Sequence, residues 1–261
     1  MAQLKFGVLV FPGSNGDTDC LYLLNTVLGV PTEPVWHGER RLAGYDCLIL
    51  PGGFSYGDYL RAGAIARFSP VMGALRAFAA AGGPVLGICN GFQILTEAGI
   101  LPGALLRNRE LAFSSRPIQV RVEPDATATP FTSGVAGGAI WRLPIAHGEG
   151  RYFAAPETLA EIEAQRQVVL RYCDPDGALS EAANPNGSSH NIAGICNAAG
   201  NVLGLMPHPE RAGEALLGMA DGLHLFHALI AACRSASGDT TAEDRLSGDK
   251  APSYRPVAAG Q

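Results

Sequence analysis

An apolar segment at residues 84–88 runs directly into the pattern Gly87-x-Cys89-x-Gly91, in which a cysteine has a glycine two positions away on each side. Glycines at this spacing let the backbone turn sharply and leave the residue at the apex accessible. Residues 90–98 then have the composition of a helix. This part of the chain predicts a strand, a tight turn of the kind called a nucleophile elbow, and a helix, with Cys89 at the apex.

A histidine and a carboxylate far downstream, at His208 and Glu210, complete a candidate catalytic set. Cysteine attacks as the thiolate, and a free thiol is only a few per cent ionised at neutral pH, so it needs a base or a favourable field. The helix N-terminus at Cys89 supplies such a field. Pro209 favours an extended backbone at His208, which lets the side chains of His208 and Glu210 project to the same side. The expected roles are nucleophile for Cys89, base for His208 and orienting acid for Glu210.

The competing interpretation is structural. A cysteine in a chain rich in alanine and glycine is commonly an inert packing residue, and a histidine beside a proline is commonly a loop residue. The glycines around Cys89 and the spacing of His208 and Glu210 favour catalysis over packing. The acid follows the histidine by two residues, whereas in the α/β-hydrolase arrangement it precedes the histidine.

The order of apolar segments predicts a doubly wound α/β fold with a mostly parallel sheet, helices on both faces and a short antiparallel addition. The expected strands are residues 4–11, 45–50, 84–88, 168–173, 192–196 and 201–206, and the expected helices are residues 17–28, 70–81, 90–98 and 221–233. The last two strands read as a hairpin that leads into His208. One domain is expected over residues 1–233, followed by a flexible tail at residues 234–261, which is polar and poor in large apolar side chains.

Composition excludes several classes of function. The net charge of −5 and the lack of a dense basic run argue against nucleic-acid binding. Only Lys5 and Lys250 are lysines, so the chain between them offers no lysine for a phosphate-binding loop or a Schiff base. No segment has the length of a membrane span or the pattern of a signal peptide. Six cysteines are scattered without a Cys-x-x-Cys pair, which indicates reduced thiols and a cytoplasmic protein.

No metal site is expected. His224 and His227 lie three residues apart on the expected last helix, but the sequence shows no third ligand to accompany them.

The elbow at Cys89 and the His208-Pro209-Glu210 motif resemble those of the class I, or triad, glutamine amidotransferases. Further segments resemble the branch of that family that serves a synthetase of de novo purine biosynthesis, the enzyme that converts formylglycinamide ribonucleotide to formylglycinamidine ribonucleotide. These segments are residues 10–15, 51–66, 106–109, 145–151, 184–188 and 204–211. The resemblance runs from about residue 4 to residue 233 and leaves the tail uncovered. The family pattern often has a cysteine after Ser-Asn, where this chain has Gly16. This position is not part of the triad.

The resemblance implies that the chain hydrolyses L-glutamine to glutamate and ammonia through a thioester on Cys89. It implies that the backbone N–H groups of Gly53 and Asn90 hold the oxyanion. It also implies that Gln93 holds the polar end of the substrate and that the loop at His147 and Gly148, with Glu149 next to them, closes over glutamine. His147 as an ordinary loop residue is nearly as good an interpretation.

The resemblance further implies partners. The ammonia would pass to a synthetase subunit that uses ATP and Mg²⁺, and a small third subunit would assemble the complex. No cofactor is expected in this chain itself.

Three alternatives stay open on the sequence. An amidotransferase for a different synthetase would keep the triad but differ at residues 51–66 and 145–151. A cysteine hydrolase of the same superfamily would keep the elbow without needing the His-Pro-Glu motif. A binding module without catalysis would be expected to have lost Cys89, His208 or Glu210, and all three are present.

Overall fold

A computed structural model describes residues 4–237 of the chain. A nine-stranded sheet forms its centre, and a separate two-stranded sheet lies beside it. The strands are β1 (Phe6–Val10), β2 (Thr32–Trp36), β3 (Cys47–Leu50), β4 (Val85–Ile88), β5 (Ala104–Leu106), β6 (Ser114–Val122), β7 (Ile140–His147), β8 (Arg151–Phe153), β9 (Val168–Cys173), β10 (Ile192–Cys196) and β11 (Val202–Leu205). The α-helices are α1 (Asp17–Tyr22), α2 (Val71–Ala80), α3 (Asn90–Glu97), α4 (Pro156–Ala164) and α5 (Gly222–Ala236).

The main sheet joins a parallel half to an antiparallel half. Its strand order is β2-β1-β3-β4-β11-β10-β9-β6-β7, with parallel pairing from β2 to β11 and antiparallel pairing from β11 to β7. From β1 the chain passes through α1 to β2, which lies on one side of β1. It then crosses to β3 on the other side of β1 and continues in that direction through α2 to β4. Right-handed crossovers therefore put α1 on one face of the sheet and α2 and α3 on the other, as the doubly wound prediction requires.

The core lies on both halves of the sheet and includes the middle strands of the parallel half. Every residue of β3, β4 and β11 is buried, because strands in the middle of a parallel sheet are covered on both faces. Their carboxyl ends open at one edge of the sheet. The loop after β3, the residue after β4 and the segment after β11 meet there, and the candidate catalytic residues follow these strands.

The antiparallel half is larger than the sequence predicts. It contains β6 and β7, which are not among the strands expected from the sequence. Pro117 and Pro144 face each other across this pair, and prolines weaken the sequence signal of a strand because they cannot donate to the ladder. The predicted hairpin of β10 and β11 is confirmed. Strand β2 and helix α4 were also not expected from the sequence.

Two helix boundaries differ from the sequence interpretation. The helix expected at residues 17–28 begins as α1 and continues as a π-helical turn over Leu23–Val27, with Leu28 N–H donating to the Leu23 carbonyl at 2.9 Å. Helix α5 reaches Ala236, so residues 234–236 of the expected tail are helical. Residues 238–261 of that tail lie outside the described residues.

Among residues 4–237, no helix is both long and apolar enough to cross a membrane.

Close backbone contact fixes α3 against the sheet. A methyl group at Gly91 would overlap the backbone carbonyl of Leu50 in β3, and one at Gly87 would lie 2.9 Å from the Gly91 backbone. Only glycine fits at either position, so the two glycines that frame Cys89 let the start of α3 sit directly on β3 and β4.

We expect Gly91→Ala to lower the free energy of unfolding by about 2 kcal/mol or more, since overpacking against backbone cannot be relieved by a rotamer change. Gly73→Ala is the matched control, because Gly73 is exposed inside α2 and its added methyl group meets no atom within 4 Å. That variant should be more stable by about 0.5–1 kcal/mol. Urea unfolding of both variants measures the difference, and equal stability would contradict the close contact at Gly91.

Candidate active site

Cys89 occupies the strained turn that the sequence predicts. Its backbone has φ +49° and ψ −103°, directly between β4 and α3. A residue with a side chain pays about 1–3 kcal/mol for such a conformation, and it persists only where the surroundings fix it. Two hydrogen bonds do so here: Cys89 N–H donates to the Leu205 carbonyl at 2.8 Å, and the Cys89 carbonyl accepts from Gln93 N–H at 3.1 Å.

His208 reaches the same place from the end of β11. Its N–H donates to the carbonyl of Pro144 in β7 at 2.8 Å, which ties the segment after β11 to the antiparallel half of the sheet. The ring lies against Gly52 in the loop after β3: a methyl group at Gly52 would be 2.7 Å from His208 Cε1 and 3.7 Å from Cys89 Cβ. Gly52 therefore has no room for a side chain between the nucleophile and the base.

A short buried hydrogen bond joins His208 to Glu210. His208 Nδ1 lies 2.6 Å from Glu210 Oε1, and the two residues are only 1% and 4% exposed. Burial lowers the pKa of the His208 imidazole, but the negative charges of Glu210 and Cys89 outweigh burial and raise that pKa above its ordinary value. Within residues 4–237, His208 Nε2 and Glu210 Oε2 have no hydrogen-bond partner. Nε2 is thus the ring nitrogen left for proton transfer.

The Cys89 thiol lies 3.7 Å from the carbonyl oxygen of Ala146, to which it donates, near the end of β7. Cys89 is 5% exposed. The buried Tyr172 hydroxyl is also close enough for Cys89 to raise its pKa, although burial is the main cause. Cys89 therefore contacts β7 through Ala146 and β11 through Leu205.

Two backbone N–H groups directly follow Gly52 and Cys89 in the chain. Gly53 lies in the turn after β3 with φ +141°, and Asn90 is the first residue of α3, where helix N–H groups have no partner inside the helix. Among the described residues, neither N–H donates a hydrogen bond outside the helices and strands. These are the two groups that the family resemblance assigns to the oxyanion, and their position is compatible with that role.

Gln93 fastens α3 to the loop after β7. Its Oε1 accepts from Asn90 Nδ2 at 2.9 Å, and its Nε2 donates to the Glu149 carbonyl at 2.6 Å. Gly148 lies in the same loop, and its carbonyl accepts from Asn108 N–H at 2.9 Å. The structure therefore joins Gln93 to the loop of Gly148 and Glu149, and both polar atoms of the Gln93 side chain are hydrogen-bonded within the chain.

The His147 side chain points away from this opening, into a buried polar network. Its Nδ1 lies 3.0 Å from Asn108 Oδ1, and its Nε2 lies 3.5 Å from Asn186 Nδ2. Burial, with a smaller effect from the nearby His208, lowers the pKa of His147 to about 4, so the ring is neutral at neutral pH. Both ring nitrogens of His147 therefore have partners within the chain, and the imidazole helps to hold the loop after β7 in place. Neither nitrogen is left free to bind glutamine.

No group of three or more metal-ligating side chains occurs within the described part of the chain. His224, on α5, stacks on the Trp141 ring with centroids 6.2 Å apart. His227 is exposed on the same helix, and its pKa is lowered, first by partial desolvation of the ring and then by His224.

Several residues of the site were not found from the sequence. Gly52 and the Ala146 carbonyl act through backbone geometry, which no residue type signals. Asn108 and Asn186 lie in segments quoted for the family resemblance, at residues 106–109 and 184–188, without an assigned role.

Removal of the Glu210 charge should lower the pKa of His208, because burial, which opposes the imidazolium, is then balanced by Cys89 alone. We expect Glu210→Gln to shift the titration of His208 to lower pH and to reduce glutamine hydrolysis by about 10²-fold or more, the scale of acid–base catalysis. Histidine NMR titration of the wild-type and variant chains measures the shift. An unchanged or higher pKa in Glu210→Gln would contradict the role given to this carboxylate.

Comparisons with known proteins agree with this geometry. The family model of the CobB/CobQ-like glutamine amidotransferase domain matches residues 3–219. A phosphoribosylformylglycinamidine synthase subunit PurQ from Moorella thermoacetica is 60% identical over 227 residues, which are 87% of this chain and 95% of that protein. The subunit of the same name from Gloeobacter violaceus is 58% identical over 228 residues, or 87% and 97% of the two chains.

A solved structure of PurLQS from Thermotoga maritima contains a chain that superimposes with a TM-score of 0.78 at 40% identity, over 88% of this chain and 99% of that one. The family match, the identity and the fold agree over the whole region that carries the site. The chain therefore belongs to the glutamine amidotransferase family and, within it, to the PurQ subunits of phosphoribosylformylglycinamidine synthase.

Proposed function

We propose that this chain is a glutaminase subunit that hydrolyses L-glutamine to glutamate and ammonia through a thioester on Cys89. The ammonia goes to a partner synthetase, which converts formylglycinamide ribonucleotide to formylglycinamidine ribonucleotide in an ATP-dependent step of de novo purine biosynthesis. The observation that carries the proposal is the strained elbow of Cys89 beside the buried His208–Glu210 pair. The PurQ relatives support the choice of pathway.

The first half of the reaction forms the thioester. The Cys89 thiol gives its proton to His208 Nε2, and the thiolate attacks the side-chain amide carbon of glutamine. The carbonyl oxygen becomes an oxyanion, which the N–H groups of Gly53 and Asn90 stabilise because they are already in place. His208 then donates its proton to the nitrogen, the C–N bond breaks, and ammonia leaves.

The second half releases glutamate. His208 Nε2 removes a proton from water, and the hydroxide attacks the thioester carbon with the same oxyanion donors. Collapse of this intermediate breaks the C–S bond and returns the proton to Cys89. Glu210 holds the imidazole through Nδ1 and stabilises its cation in both halves.

The chain acts with other subunits. A solved structure of PurLQS includes a chain that matches this one over 99% of its length, which supports assembly with a synthetase and a small third subunit. The synthetase is the subunit that uses ATP and Mg²⁺, and this chain needs no cofactor for glutamine hydrolysis. The six cysteines all have free thiols, which agrees with a cytoplasmic location.

The decisive experiment measures glutamate release from L-glutamine by the purified chain alone and then with the synthetase, the small subunit, ATP and formylglycinamide ribonucleotide. Weak release alone and strong stimulation in the mixture is the expected result. If Cys89 is verified as reduced and no glutamate is released in either condition, the chain serves another reaction.

Cys89→Ser should lower glutamine-dependent synthesis by the assembled complex by several orders of magnitude, because the hydroxyl is a far weaker nucleophile than the thiolate. Synthesis from added ammonia should be unchanged, since the synthetase itself is intact. Both rates are measured on the same preparation. Loss of ammonia-dependent synthesis together with glutamine-dependent synthesis would contradict a pure ammonia-supply role.

A further inference from the structure

Glutamine has two ends, and the triad accounts for only one of them. Cys89 and His208 act on the carboxamide. Only a short methylene chain separates that group from the α-carbon, so the α-ammonium and α-carboxylate must lie close to the start of α3. The side chains there are Asn90, which follows the nucleophile, and Gln93 one turn later.

Two carboxylates lie beside these amides, and one of them, Asp58, has no ion-pair partner among residues 4–237 while the other, Glu149, has only a distant one in Arg107. Asp58 has one weak contact, 3.4 Å from Asn90 Nδ2. Glu149 Oε2 accepts from Ala62 N–H at 3.4 Å, and Glu149 Oε1 lies 4.0 Å from Arg107 Nε. Within residues 4–237, no lysine or arginine nitrogen comes within 4.0 Å of Asp58. Half-buried carboxylates normally have such a partner.

The charge of Glu149 acts on Asp58. Burial is the main cause of a raised pKa at Asp58, about 6, and the negative charge of Glu149 raises it further, whereas the contact with Asn90 lowers it. The pair therefore creates a negative potential beside the side chain of Asn90, the residue that follows the nucleophile. A single positive charge between the two groups would relieve their repulsion.

A buried hydroxyl in the same cluster has no partner. Ser55 is 2% exposed, its N–H donates to Asn90 Oδ1 at 3.1 Å, and its Oγ makes no hydrogen bond among the described residues. A buried hydroxyl without a partner is unfavourable, and a polar ligand at this position would satisfy it. This hydroxyl is independent of the carboxylates and is a second unpartnered polar group next to Asn90, which also contacts Asp58.

We propose that Asp58 and Glu149 together bind the α-ammonium of L-glutamine and so select an α-amino acid over other primary amides. The pair is held from opposite sides: Asp58 comes from the strained loop after β3, and Glu149 comes from the loop after β7. The Gln93 side chain joins the second loop to α3. This inference rests on the proposed function, because it assigns the substrate end that the triad does not contact.

The test compares L-glutamine with 4-carbamoylbutanoate, which is glutamine without its amino group. Ammonia release by the assembled complex gives kcat/KM for both substrates in the wild type and in Asp58→Asn and Glu149→Gln. Asp58 has φ +52°, a conformation that asparagine tolerates well, so Asp58→Asn removes the charge with little strain. Asp125→Asn, at an exposed position after β6, is the matched control.

Each variant should lose about tenfold or more in kcat/KM for L-glutamine, mainly through KM, as expected for a lost charged hydrogen bond. Their kcat/KM for 4-carbamoylbutanoate should stay within about threefold of the wild-type value, and Asp125→Asn should change neither. An equal loss with both substrates, or no loss with L-glutamine, would overturn the proposal. A wild-type complex that releases no ammonia from L-glutamine would instead reject the proposed function.

Discussion

The close approach of α3 to the sheet is the constraint on which the site depends. Gly87 and Gly91 have no side chains to keep the helix away from β3 and β4, and the backbone at Cys89 must then turn through a positive φ to enter the helix. Hydrogen bonds from Cys89 to its neighbours on β11 and α3 hold that strained turn. The thiol is thereby presented at the carboxyl edge of the sheet, beside the first unpaired N–H groups of α3.

The remaining parts of the site come from strands on either side of this turn. The base and its acid follow β11, the partner of β4, and their position is fixed by a hydrogen bond to β7 across the antiparallel half. The loop after β3 brings Gly52 against the imidazole and close to Cys89 Cβ. The site therefore forms where the parallel and antiparallel halves of the sheet meet, because residues from both halves contact Cys89. The buried network of His147, Asn108 and Asn186 supports the border that the antiparallel half supplies.

Features encoded within a few residues could be predicted from the sequence. The elbow depends on five consecutive positions and the pairing of His208 with Glu210 on three, and the structure has both the sharp turn and the hydrogen bond. The family resemblance supplied the two backbone N–H groups, which residue types do not encode. The buried strands of the parallel half were found because they are continuous apolar runs. Strands β6 and β7 were missed because prolines and arginines interrupt them, and their pairing is decided by contacts distant in the sequence. The Asp58–Glu149 pair was missed for the same reason, since 91 positions of sequence separate residues that only the folded chain brings together.

The central claim is that Cys89 carries the glutamyl group during turnover. It is tested most directly by quenching the assembled complex with acid while it hydrolyses L-glutamine, digesting it, and analysing the peptides by mass spectrometry. The account predicts a glutamyl group on the peptide that contains Cys89, attached as a thioester and removed by hydroxylamine. Sustained glutamine hydrolysis with the glutamyl group on a different residue, or with Cys89 unmodified at every quench time, would contradict it.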